Sequence, residues 1–166
     1  TDRPLSKGRD LEWIVKEAVE GGVTFVQLRE KEADTREFLH LARELHGLLK
    51  PRGIPLIIND RIDIALASDA DGVHIGQRDM PYEVARSLRG PDKIKGLSVE
   101  TFSEVEQANA FDVDYVAISP VYDTLTKTDT LKAFGLEGTS KAVALSRHPT
   151  VAIGGMNRET AAAVIG

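Results

Sequence analysis

Two short apolar runs each stop on an acid: Leu56-Ile57-Ile58 leads into Asn59-Asp60, and Gly72-Val73-His74-Ile75-Gly76 into Gln77-Arg78-Asp79. If the runs are adjacent strands of a parallel sheet, Asp60 and Asp79 stand at neighbouring strand ends, about 5 Å apart between strands. Two carboxylates at that spacing can share a hard cation such as Mg2+, which takes oxygen ligands and keeps waters for substrate phosphates. Cationic residues follow other apolar runs. In Gln27-Leu28-Arg29-Glu30-Lys31 the alternation of a strand sets Gln27, Arg29 and Lys31 on one side, and Ser119-Pro120 leads to Thr124-Leu125-Thr126-Lys127. Carboxylates beside Arg29, Lys31 and Lys127 suit a metal that bridges to a diphosphate, with metal and bases together neutralising a departing anion.

A second signal is Gly154-Gly155, a glycine pair that closes one apolar run and opens a helical one. Such a turn presents backbone N–H groups to a phosphate, backed by the start of the helix. Thr124–Thr126 can add hydroxyl and backbone donors. Each group also has a plain structural reading. Asp60 can pair with Arg61 or cap the next helix, Asp79 can cap a helix starting near Pro81, and His74 can be an interior residue. Asp63, Asp69 and Asp71 read as solvated or capping residues, and Gly-Gly as turn geometry. The functional reading rests on joint placement, because independent motifs fall at the same end of successive strands.

The elements that would position these groups alternate. Strands are expected over Thr24–Leu28, Pro55–Ile58, Gly72–Ile75, Ile94–Ser98, Tyr115–Ser119 and Val151–Gly154, with Ser98 at the end of the fourth. Helical periods fall over Glu12–Glu20, Thr35–Leu49, Ile62–Ser68, Tyr82–Leu88, Ser103–Ala110, Thr139–Leu145 and Arg158–Ile165. Leu41, Leu45, Leu48 and Leu49 form one helix face, and Ser103 is the expected cap of its helix. The apolar runs are continuous rather than alternating, as in a parallel sheet buried on both faces. This pattern gives one α/β domain, either a (β/α)8 barrel or a doubly wound open sheet; both place ligands at the carboxyl ends of the strands.

The 166 residues are 42% hydrophobic and 28% charged, with 21 basic and 26 acidic residues and a net charge of −5. That balance argues against general affinity for nucleic acid or an anionic membrane. The chain has no cysteine, which removes disulfides, thiolate metal sites and cysteine nucleophiles and fits a reducing, cytoplasmic compartment. No stretch approaches the roughly 18 apolar residues of a membrane span.

Taken as an ordered set, Thr1-Asp2-Arg3, Gln27–Lys31, Asn59-Asp60-Arg61, Gly72–Asp79, the Ser98 strand, Ser119–Lys127 and Val151–Gly155 resemble the thiamin phosphate synthase family over nearly the whole chain. Gly-Val-His-Ile-Gly-Gln-Arg-Asp and Thr-Leu-Thr-Lys are its most specific pieces. The resemblance implies a TIM (β/α)8 barrel whose first strand and last strand–helix unit lie outside these 166 residues. It also implies a transferase that joins hydroxymethylpyrimidine diphosphate to hydroxyethylthiazole phosphate with release of pyrophosphate. Gln27–Lys31 (Gln27, Leu28, Arg29, Glu30, Lys31), Asn59, Ser98 and Lys127 would hold the pyrimidine diphosphate, with Arg29, Lys31, Ser98 and Lys127 assisting catalysis. Asp60 and Asp79 would hold Mg2+, and Thr124, Leu125, Thr126 and Gly155 the thiazole phosphate. The loop Ser119-Pro120-Val121-Tyr122-Asp123-Thr124 departs from the family's usual Gly-Pro-Val-Phe-Pro-Thr, setting a carboxylate near a proposed phosphate site. A TenI-like thiazole tautomerase and a non-catalytic phosphate-ligand sensor are the alternatives, and a homo-oligomer is left open.

Overall fold

The computed structural model describes residues 1–123 and 132–165, and the chain divides into two compact units, Thr1–Lys95 and Gly96–Gly166. In the first unit, β1 (Val26–Leu28), β2 (Leu56–Asn59) and β3 (Gly72–Ile75) pair in parallel and in chain order. Parallel neighbours require a crossover, and helices supply it: α3 (Thr35–Leu49) joins β1 to β2, and α4 (Ile62–Ala67) joins β2 to β3. The register sets Gln27 opposite Ile57 and Asn59 opposite His74. Residues two apart along a strand share a face, so Gln27, Arg29, Ile57, Asn59, Gly72 and His74 project to one side. Val26, Leu28, Leu56, Ile58 and Val73 project to the other, where they are buried.

α3 packs through Phe38, Ala42, Leu45 and Leu49, all buried and spaced i, i+4, i+7, i+11. The expected stripe is thus shifted: Leu41 and Leu48 sit at its margins. Burying one such side chain stabilises the fold by about 1.5–3 kcal/mol. Asp34 caps this helix, accepting from the Glu37 N–H at 2.8 Å, and Asp10 caps α2 (Leu11–Glu20) by accepting from Trp13 at 2.9 Å. Gly72 is fixed by close approach, since a Cβ there would lie 2.3 Å from the Ile94 carbonyl oxygen and 2.7 Å from Ile57 Cδ1.

Three further elements complete the first unit. They are α1 (Arg3–Ser6), a 3-10 turn at Lys50–Arg52, and α5 (Tyr82–Arg89). The first two were not expected, because a four-residue helix carries no full amphipathic period.

The second unit repeats the pattern. β4 (Ile94–Val99), which enters this unit at Gly96, β5 (Tyr115–Ile118) and β6 (Thr150–Ala152) pair in parallel and in chain order. The helices are α6 (Phe102–Ala108), α7 (Gly135–Leu145) and α8 (Arg158–Ile165). Ser98 lies opposite Ala117, which lies opposite Val151. The cap of α6 is Thr101, not Ser103. Thr101 Oγ1 accepts from the Glu104 N–H at 3.2 Å, while the Glu104 carboxylate accepts from the Thr101 N–H at 3.0 Å. This reciprocal box satisfies two helix-end donors at once; Ser103 instead accepts from Gln107 at 3.1 Å. α7 begins four residues before the expected start despite Gly135 and Gly138, and Thr139 Oγ1 donates back to the Gly135 carbonyl at 2.7 Å. The expected α/β class holds, with parallel strands ordered as in the chain within each unit. No described helix is long and apolar enough to cross a membrane.

Candidate active site

The ends of β1, β2 and β3 bring charged groups together in the first unit. The Lys31 ammonium donates to Asp60 Oδ2. Arg29 is held from the other side, its guanidinium 3.1 Å from Asp2 Oδ2 and its N–H donating to Thr1 Oγ1 at 3.1 Å. Glu30 faces the opposite way. Its side chain is fully buried, Oε2 accepts from Arg3 Nε at 2.8 Å, and Oε1 has no hydrogen-bond partner among the described residues. Arg3 also bonds Glu37 at 3.2 Å. Leu28 is buried on the Glu30 side. Of the run Gln27–Lys31, then, the structure turns Gln27, Arg29 and Lys31 to the polar face and gives Leu28 and Glu30 to the core.

Asp60 sits at φ +62°, a conformation that non-glycine residues seldom adopt, with Asn and Asp the usual exceptions. Its N–H donates to the His74 carbonyl at 2.8 Å. This bond ties the turn after β2 to β3 and sets the carboxylate at the strand end. Asp79 Oδ2 accepts from the Gly76 N–H at 2.6 Å. Burial raises the Asp79 carboxyl above its ordinary range, and the Asp60 carboxyl hydrogen-bonded to it adds to the rise; the Gly76 N–H and Lys31 act the other way. The two acids therefore meet, and one of them resists ionising. A dication between them removes that like-charge cost, so the donor set suits an oxygen-seeking metal. No group of three or more His, Cys, Asp or Glu converges on a metal position among the described residues. Two carboxylates with waters and substrate oxygens is a coordination mode common for Mg2+.

Arg61 engages Asp63 at 2.6 and 2.8 Å and Thr35 at 3.0 Å, and this pairing holds the Asp63 carboxyl below its usual range. No side chain caps α5, whose cap position is Pro81. Asp69 pairs with Lys93 at 2.9 Å, and Asp71 Oδ2 accepts from the Leu56 N–H at 2.8 Å. His74 is buried.

In the second unit Ser98 is half-buried near the end of β4. Gly154 and Gly155 adopt φ +95° and +68°. A Cβ at Gly154 would lie 2.7 Å from Pro120 Cβ, and one at Gly155 2.6 Å from Tyr122 Cβ. The loop after β5 is stitched to this turn, with Val121 and Tyr122 N–H groups donating to Ile153 and Gly154 carbonyls at 2.8 and 3.1 Å. Asn157 Oδ1 caps α8 by accepting from Glu159 and Thr160 at 2.8 and 2.9 Å. Asp123 is exposed. Thr124, Leu125, Thr126 and Lys127 lie outside the described residues.

Comparison with known proteins decides what this arrangement belongs to. The family described as thiamine monophosphate synthase matches residues 1–166. A thiamine-phosphate synthase of Vibrio parahaemolyticus is 52% identical over 147 residues, 89% of this chain and 72% of that protein. That of Syntrophomonas wolfei is 52% identical over 159 residues, 96% and 76% of the two chains, and that of Leptospira biflexa 49% over 170 residues, 100% and 81%. Among solved structures, a thiamine phosphate pyrophosphorylase from Pyrococcus furiosus aligns with a TM-score of 0.86 at 38% identity, covering 95% of this chain and 75% of its own.

The chain belongs to the thiamine monophosphate synthase family. With that membership, the reading as a transferase enzyme of thiamine biosynthesis stands. Two residues to which sequence reasoning assigned no role make contacts at this strand end: Asp2, which holds Arg29, and Arg3, which anchors Glu30. Both lie in the Thr1-Asp2-Arg3 segment, which was singled out for its likeness to the family but not for any contact. The missing information was tertiary: the partners are 27 residues apart in each pair.

Proposed function

We propose that this member of the family joins 4-amino-2-methyl-5-hydroxymethylpyrimidine diphosphate to 4-methyl-5-(2-hydroxyethyl)thiazole phosphate, releasing pyrophosphate and forming thiamin phosphate. The observation that carries this reading is the meeting of Asp60 and Asp79 with the Lys31 ammonium on Asp60. Such a cluster has little purpose in a core and a clear one beside a diphosphate. Asp60 and Asp79 are the proposed Mg2+ ligands. When bound, the metal neutralises negative charge on the diphosphate and so favours its departure.

The protein's own residues supply the rest. Arg29, fixed by Asp2, and Lys31 stabilise charge that accumulates on the leaving oxygens, and Gln27 and Asn59 share their face of the sheet to orient the pyrimidine. Ser98 and Lys127 are further diphosphate contacts, and Thr124–Thr126 with Gly155 hold the thiazole phosphate through hydroxyl and backbone donors. The bond from the methylene carbon to the diphosphate oxygen breaks and its electron pair leaves with pyrophosphate. The electron-rich aminopyrimidine stabilises the cation, and the thiazole nitrogen supplies the pair for the new carbon–nitrogen bond. No protein nucleophile is needed. Chain-order parallel strands in each unit support reading the fold as a (β/α)8 barrel. The test is formation of thiamin phosphate from the two phosphorylated substrates with Mg2+, and then with excess EDTA. Metal-dependent product supports the reading; folded protein that binds phosphate ligands without forming product replaces it with the sensor.

A further inference from the structure

Lys31 is described above as a diphosphate contact, yet in the free protein its ammonium is already committed to Asp60 Oδ2. Resting on the reading of Asp60 and Asp79 as metal ligands, we propose that Lys31 is the resident counter-ion of this carboxylate pair, displaced to the diphosphate when a dication arrives, so that metal and diphosphate each strengthen binding of the other. The charges make the case. Without ligand, the carboxylates of Asp60 after β2 and Asp79 after β3 meet, and one ammonium offsets part of their repulsion. A dication supplies twice that charge on the same oxygens and leaves the ammonium in excess. Diphosphate is the anion that needs it.

The geometry permits the exchange. The Lys31 side chain is 52% exposed while that of Asp60 is 20% exposed, so the ammonium approaches from the solvent side on a flexible stem. Its neighbour Glu30 is locked to Arg3 and Arg29 is locked to Asp2, so the backbone that carries Lys31 is held while its tip can move. The Asp60 N–H bonded to the His74 carbonyl likewise keeps the carboxylate in place through the exchange. Lys31 is thereby a positioning residue for metal entry before it is a contact to the leaving group.

Linkage gives a readout that does not involve turnover. The affinity of the full chain for Mn2+ is measured by calorimetry, alone and with saturating inorganic pyrophosphate, and the ratio of the two affinities is the coupling factor. Removing an exposed ion-pair partner is worth about 0.2–1 kcal/mol, so Lys31→Gln is expected to bind Mn2+ alone about 1.4- to fivefold more tightly. With pyrophosphate present the ammonium has already left Asp60, so the affinity changes less and the coupling factor falls by a similar amount. If Lys31 only adds background charge, Lys31→Gln tightens Mn2+ equally with and without pyrophosphate. An unchanged coupling factor, or unchanged affinity for Mn2+ alone, overturns the proposal. Asp79→Asn separates the two readings: if it binds Mn2+ as the parent does, or if the parent binds none, the metal-ligand reading falls and takes the proposal with it. Loss of Mn2+ in Asp79→Asn together with unchanged coupling in Lys31→Gln sinks the proposal alone.

Discussion

Asp60 and Asp79 illustrate how much a single side chain's surroundings decide. Replacing Asp60 with Asn keeps the shape and the turn, since Asn tolerates φ +62°, but removes one charge from the pair. Turnover is expected to fall on the order of 10²–10³-fold, the effect of losing one group that stabilises developing charge, while the circular dichroism spectrum stays that of the parent; unchanged turnover would remove Asp60 from the site. Asp79 gives a prediction in pH. Its carboxyl titrates above its ordinary value because of burial and of Asp60, so the folded state holds its proton more tightly than the unfolded state does. Ionised Asp79 therefore costs stability, and the cost grows as pH rises above the unfolded value of about 3.9. Asp79→Asn should melt at a higher temperature than the metal-free parent at pH 7. The difference should shrink toward pH 4, and Mg2+ should raise the melting temperature of the parent alone. Equal melting at pH 7 would show that the two acids do not repel.

At the scale of elements, the loop after β1 shows why a five-residue motif contains two kinds of residue. Gln27, Arg29 and Lys31 take the polar face, the proposed substrate side, while Glu30 is a buried anchor whose partner Arg3 is partly exposed. Glu30→Ala leaves a cationic partner without its acid and frees the loop, so KM for the pyrimidine diphosphate is expected to rise more than kcat falls. Glu30→Gln, which retains an acceptor for Arg3, should restore much of that KM. Equal losses in both variants would mean that the charge itself takes part. In the turn before α8, Gly155→Ala forces a Cβ to 2.6 Å from Tyr122 at φ +68°. A loss of about 1–3 kcal/mol in stability is expected, read by urea titration, and a parent-like midpoint would show that the turn relaxes. Element boundaries follow the same logic. α3 was legible to the residue because a long amphipathic period and an Asp cap agree, whereas α1 is too short to show a period. The Thr101–Glu104 box was present in the sequence as Thr-x-x-Glu, but Ser103 beside it offered a competing cap.

For the molecule as a whole, stability resides in each unit's apolar face. Phe38 is buried on the α3 face in the first unit, so Phe38→Ala should cost about 3–5 kcal/mol, measured by urea unfolding; a cost below about 1 kcal/mol would show that the space collapses. Net charge and the absence of cysteine bounded the chemistry from the start, and the recurrent Val- and Ile-rich runs bounded the fold class. The sequence by itself determined the alternation of strands and helices, the side of β1 that Gln27, Arg29 and Lys31 share, and the placement of Asp60 and Asp79 at strand ends. Those features depend on local periodicity, which a linear chain records. Only the tertiary structure decided that the two acids meet, that Lys31 takes Asp60 while Arg61 takes Asp63, and that Asp2 and Arg3 clamp a loop 27 residues away. An ion pair depends on distance in space, and a charged residue in a sequence of 47 charges has many partners of opposite sign until folding brings one within reach.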